Sequence, residues 1–188
     1  DKSNAQLFIL KRSDTMAKVS KTNETLLGEG VFYIGDVPIG LTRGGGQFLV
    51  EREVRQIEAD GDRGNVKGRN VIDKSVPKLV INALQIIGEN LPKMYPGLKV
   101  TEEDNKKIVT GTGKIVDSDY QDLVKFVGMT DKGKEVVITV ENAIILENID
   151  WTLADKDEVV PSLTYTGCYE EESPEGYEPW SIAYVKEA

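Results

Sequence analysis

Period-2 alternation of apolar residues, Gly and Asp turn signals every ten residues or so, and a scarcity of helical periods predict a mainly β protein. The expected architecture is two packed antiparallel sheets, a sandwich or barrel of seven or eight strands, with one short flanking α-helix. A mobile polar arm is expected over residues 1–26, with residues 1–15 read as an upstream extension because Met16-Ala17-Lys18 resembles a natural start. The remainder, 27–188, is expected to form a single domain.

Val31 to Ile34 and Val37 to Ile39 flank Gly35-Asp36, a two-residue hairpin signal, and Pro38 marks the second arm as an edge. Gly44-Gly45-Gly46 then reads as a break before a strand over Gln47 to Asp60. Phe48, Val50 and Val54 share one face of that strand, whereas Ile57 and Ala59 fall on the other parity, which predicts a bulge near Arg55 or Gln56. Residues 60–75 contain three glycines and four basic side chains with little to bury, the pattern of a long functional or mobile loop. Val76 to Ile87 is apolar on both parities and predicts a central strand covered on both faces.

A short helix or turn over Glu89 to Tyr95 is expected to end at Pro96-Gly97, and Thr101-Glu102-Glu103-Asp104 has the form of a helix cap. Strand patterns return at Lys107 to Val116, Leu123 to Met129 and Glu135 to Leu146, the last two joined across Asp131-Lys132-Gly133-Lys134. Ser118 to Gln121 opens a short helix or turn. Leu163 to Tyr169 and Trp180 to Val185 complete the set, separated by the acidic loop Glu170 to Gly176.

A chain of 188 residues can bury roughly 70% of its unfolded surface, enough for a core without metal or disulfide staples. It has no histidine and one cysteine, so a Ser-His-Asp triad, a Cys-His pair and a clustered Cys/His zinc site are excluded. Carboxylate, lysine and magnesium chemistry survive this filter. Cys168 has no intrachain partner, which fits folding in a reducing cytosol. With 32 acidic against 23 basic residues the net charge is −9, the wrong sign for gripping DNA phosphates. No apolar run approaches the roughly 18 residues of a membrane span, so no membrane partner is expected.

The glycine-rich stretches Arg43 to Gly46 and Asp62 to Arg69 lack the spacing, and the following helix, that aim backbone amides at phosphate. Three acidic clusters, Glu102 to Asp104, Asp155 with Asp157 and Glu158, and Glu170 to Glu172, sit at predicted turns, where carboxylates are ordinarily solvated rather than converging on a metal or substrate. Cys168 lacks a neighbouring base. Trp151, Tyr165, Tyr169, Tyr177, Trp180 and Tyr184 crowd the last quarter, as in a carbohydrate-binding module or, equally, a core. No catalytic, cofactor-binding or metal-ligating residue is assigned, and the chain is not expected to be an enzyme.

Gly30 to Gly45, Phe48 to Gly61 and Gly64 to Gly68 resemble the N-terminal half of the major tail tube proteins of bacteriophages with long non-contractile tails. Asp117 to Tyr120, Lys134 to Ala143 and Asp155 to Gly167 resemble the second half, and the resemblance covers about residues 28–170. It implies a sandwich with a flanking helix, copies of which form hexameric rings stacked into a tail tube, a conduit for DNA at ejection. The implied partners are further copies, the tape measure protein, tail terminator and distal tail proteins, and DNA passing without sequence-specific contact. The implied location is the virion tail, assembled in the host cytoplasm. A tube protein of a contractile tail or type VI secretion system shares the architecture, and a carbohydrate-binding or adhesin module is the alternative of another class.

Two sets of residues carry the expected assembly. Arg43, Gly44, Gly45 and Gly46, with Arg63, Lys67 and Arg69 of the long loop, are candidates for contacts with an acidic neighbour. Glu51, Glu53 and Glu58 are candidates for the channel wall, since six copies at −9 carry roughly −54 per ring and would repel phosphate.

Overall fold

The structure, a computed structural model, describes residues 24–86 and 91–185; the expected arm over residues 1–26 lies almost wholly outside them. The chain is mainly β, as its periodicity predicts. Ten strands are present among the described residues: β1 Leu26–Ile34, β2 Val37–Pro38, β3 Thr42–Gln56, β4 Asn70–Ala83, β5 Leu98–Glu103, β6 Lys106–Gly111, β7 Gln121–Thr130, β8 Glu135–Ile145, β9 Ser162–Gly167 and β10 Trp180–Tyr184. One helical turn, α1 (Leu91–Met94), and a 3₁₀ turn at Asp117–Asp119 complete them.

Eight strands form one antiparallel sheet in the order β2-β1-β7-β8-β9-β4-β3, with β10 also paired to β8; β5 and β6 form a separate hairpin. The large sheet is two-layered because β8 changes neighbours. Val136 to Val140 pair with β10, whereas Ala143 to Ile145 pair with β9. Between them Asn142 adopts φ 48°, a left-handed conformation that a short amide side chain tolerates, and the strand turns a corner there. The layer β1-β7-β8-β10 then lies against β9-β4-β3.

The two layers meet closely at Gly167, where a Cβ would stand 2.7 Å from Val140 Cγ1 and 2.9 Å from Pro77 Cγ. The core between them contains Phe32, Leu79, Ile81, Val124, Val140, Leu163 and Tyr165, and the Phe32 and Phe126 rings pack at 4.9 Å. Phe48 of β3 reaches across to Trp180 of β10, ring centroids 5.6 Å apart.

Gly35-Asp36 makes the expected tight hairpin, with Ile34 opposite Val37 and Gly35 at φ 59°, and β2 is an edge strand. Gly44 to Gly46 do not break β3. Gly44 and Gly45, with Arg43, form a bulge inside it: Thr42 pairs with Ala83 and Gly46 with Ile81, so that these three residues oppose Asn82. The second bulge sits across the hairpin from its expected position: Glu53 pairs with Lys74 and Val54 with Ile72, leaving Asp73 of β4 as the extra residue.

β4 is interior to the sheet, but its residues alternate between buried and half-buried, so one face is covered and not both. It begins at Asn70, well inside the stretch expected to be loop, which shortens the loop to 57–69. Thr101 to Asp104 do not cap a helix. They enter a hairpin turn in which Asp104 and Asn105 take positive φ.

A Gly167→Ala variant is expected to lose about 1–3 kcal/mol of unfolding free energy, since its methyl must displace Val140 or Pro77. Denaturant titration would measure this; an unchanged midpoint would mean that the layers part freely.

Candidate assembly surface

The β3–β4 hairpin is longer than the core it covers. Inward-facing residues of β4 are buried from Ser75 to Ala83, but from Asn70 to Lys74 every residue is exposed. Because Asp73 is extra, Ile72 rather than Asp73 falls beside Val54 on the continuation of the inward face. No opposing layer reaches that far. Val54 is 59% and Ile72 50% exposed, and on the other face Ile57 is 50% and Val71 38% exposed.

The projection is braced by its own polar groups. Arg55 forms a bidentate pair with Asp73 at 2.8 and 3.2 Å, and Gln56 donates to the Gly64 carbonyl at 3.1 Å. At the tip Asp62 accepts from the Ala59 amide at 2.8 Å and from Arg69 at 2.7 Å. Exposed pairs of this kind are screened by solvent, so they shape the hairpin more than they hold the fold.

These pairings change what the candidate residues can offer a partner. Arg69 is engaged by Asp62, whereas Arg63 and Lys67 have no hydrogen bond or ion pair among the described residues. Arg43 lies at the opposite end of β3, roughly 45 Å away at strand rise. There its guanidinium holds Asp157 at 3.1 Å and Glu158 at 2.5 Å, tying the glycine bulge to the β8–β9 connection. The Arg43 hydrogen bond, helped by the Glu158 amide, holds the Asp157 carboxyl below its ordinary range. The seven residues are therefore two separate sites.

Glu51 and Glu53 share the outer face of β3, where Lys78 stands 3.0 Å from Glu51 and Lys74 3.7 Å from Glu53. Glu58 is exposed in the loop beyond the strand.

A cluster that the residue pattern did not single out marks where the hairpin leaves the core. Glu178 Oε2 accepts hydrogen bonds from Ser75 Oγ at 2.8 Å, Tyr169 OH at 3.0 Å and Trp180 Nε1 at 3.1 Å, joining β4, the segment after β9, and β10. Desolvation pushes the carboxyl up, but these three donors and the nearby Arg52 charge outweigh it, and the net shift is downward. Next to it Tyr177 donates to Glu141 at the β8 corner and stands edge-on to Tyr169. That hydrogen bond, more than burial, raises the Tyr177 hydroxyl to about 12. The visible signal was the Tyr and Trp content of this stretch; the carboxylate between them carried none.

The other candidates disperse. Tyr165 is buried, Trp151 donates to Tyr95 at 3.2 Å, and Tyr169 and Tyr184 are exposed. Glu102 pairs with Lys107 at 3.7 Å on the β5–β6 hairpin. Burial raises the half-buried Cys168 thiol, which is the direction opposite to activation. Among the described residues no three Cys, Asp or Glu side chains are arranged to hold a metal ion, and no helix is long and apolar enough to cross a membrane. No known protein family matches the chain, and no curated protein sequence is significantly similar to it.

With a folded-state pKa below 4.5, ionised Glu178 contributes stability that is complete above pH 4.5 and lost as pH falls through the lowered value. A Glu178→Gln variant is expected to lose less stability than the parent as pH falls below 4.5. Denaturation midpoints across that range would show it, and equal acid slopes would contradict the assignment.

Proposed function

We propose that the chain is a structural subunit of a phage tail tube of the long non-contractile type, assembling as hexameric rings that stack around a channel for DNA. The observation that carries the reading is the projecting β3–β4 hairpin, with Val54, Ile57, Val71 and Ile72 exposed on a braced scaffold. An unpartnered apolar projection is a liability in a monomer and an assembly device in a polymer. Half-burying one such side chain is worth about 1 kcal/mol, small for a single contact and additive around a ring.

Two further features support it. Among the described residues β3 and β10 end the sheet without an outer partner, and pairing across subunits removes such edges. The segments that resemble tail tube proteins include most of β3 and part of the loop that follows it in the projecting hairpin.

In this reading the hairpin contacts are mainly apolar, with Arg63 and Lys67 at the rim, because the other basic groups already have intrachain partners. Glu51 and Glu53 remain channel candidates, although their lysine partners reduce the charge they would present. The tape measure, tail terminator and distal tail proteins are the proposed partners within the virion tail.

A Val54→Asp, Ile72→Asp double variant is expected to remain folded and monomeric by light scattering under conditions where the parent chain polymerises. Tubes of normal length from the variant would overturn the assignment of the hairpin as an assembly contact.

A further inference from the structure

The end of the molecule opposite the hairpin tip also presents apolar side chains. β8 leaves the sheet at Ile145 and β9 enters it at Ser162, so the connection 146–161 lies at the same end as Arg43 and the start of β3. Leu146, Ile149 and Leu153 are exposed there, and Leu153, at 79%, is more exposed than any other large apolar side chain among the described residues. Ile115 joins Leu146 in the wall of an open cleft of about 290 Å³. Charge distinguishes this end from the hairpin. Residues 146–158 carry five acidic groups against one basic, and Glu147, Asp150 and Asp155 have no ion pair among the described residues. The hairpin, residues 52–74, carries six basic groups against five acidic, the opposite balance to that of the whole chain. Three of those acids are engaged inside it, Asp73 by Arg55, Asp62 by Arg69 and Glu53 by Lys74. Arg63 and Lys67 are left at the tip to meet other carboxylates, with Glu58 and Asp60 beside them.

We propose that this acidic, apolar end is the docking surface for the β3–β4 hairpin of a second copy, with Val54 and Ile72 set against Ile149 and Leu153 and with Arg63 and Lys67 among Glu147, Asp150 and Asp155. The inference rests on the hairpin being an assembly contact and adds the surface that the contact meets. Apolar groups at the centre and opposite charges at the rim are the ordinary anatomy of a specific interface. The same charges argue against a hairpin meeting its like, which would bring the free cations of two tips together. The two surfaces lie at opposite ends of β3, roughly 45 Å apart at strand rise. Each copy that docks therefore brings one unused surface of each kind, and the contact is head-to-tail and open-ended rather than closed at two.

Sedimentation velocity on the full chain tests this with two variants. An Ile149→Asp, Leu153→Asp variant keeps the hairpin and loses the proposed acceptor, whereas the Val54→Asp, Ile72→Asp variant does the reverse. Each alone is expected to sediment as a monomer, and an equimolar mixture is expected to give particles of two chains and nothing larger, since only one productive pairing remains. Leu153→Ser alone, with the near-ultraviolet signal of Trp151 and Trp180 retained, should weaken association of the parent chain by about tenfold. An acceptor variant that associates as the parent does, or that forms pairs by itself, overturns the proposal, as does a mixture that stays monomeric. Those results leave the hairpin as an assembly contact with another surface; a parent chain that is monomeric at every concentration overturns that reading as well.

Discussion

Everything in this molecule hangs on β8 having three neighbours. A strand has two hydrogen-bonding edges, so serving β7, β9 and β10 means dividing one edge between two strands and bending where they part. The left-handed Asn142 supplies the bend. Gly167, which brings β9 against Val140 and Pro77, lets the resulting layers close. Glu178 and Tyr177 then anchor β10 from outside, through hydrogen bonds to Ser75, Tyr169, Trp180 and Glu141 rather than through a second pairing edge.

This arrangement leaves the far side of the sandwich open. Among the described residues β3 ends the sheet without a partner on its outer edge, and the hairpin it forms with β4 runs past the opposing layer. The Asp73 bulge decides what that overhang presents. In an uninterrupted ladder Asp73 would stand beside Val54; the extra residue puts Ile72 there instead and turns the carboxylate to Arg55. A surface that would have been mixed in charge becomes apolar with a salt-bridged brace. The proposed contact between subunits is therefore mainly hydrophobic, although the composition of the loop suggested an electrostatic one.

Much of the fold was legible because strand alternation and glycine turns are local signals. The Gly35-Asp36 hairpin, the β7–β8 pair and the edge position of Pro38 follow directly from residue type and spacing. What was hidden depends on partners distant in the chain. Gly44 to Gly46 look like a break but lie within a paired strand, because Ala83 and Ile81 resume the ladder on either side. The apolar residues on both parities of Val76 to Ile87 suggested two covered faces, yet β4 has one buried face and the residues of its other face are half-buried. Arg43 and Arg69 read as free cations until Asp157, Glu158 and Asp62 were found beside them. Glu178 gave no sign at all, since a lone carboxylate just before a strand is ordinarily solvated.

The net charge of −9 suits the proposed role, in which a channel wall would repel DNA phosphates. The account depends on self-association, and negative-stain electron microscopy of the purified chain tests that most directly. It predicts rings, or hollow tubes of uniform width, at micromolar to millimolar protein concentration. Isolated particles of the size of one chain across that whole range would contradict it.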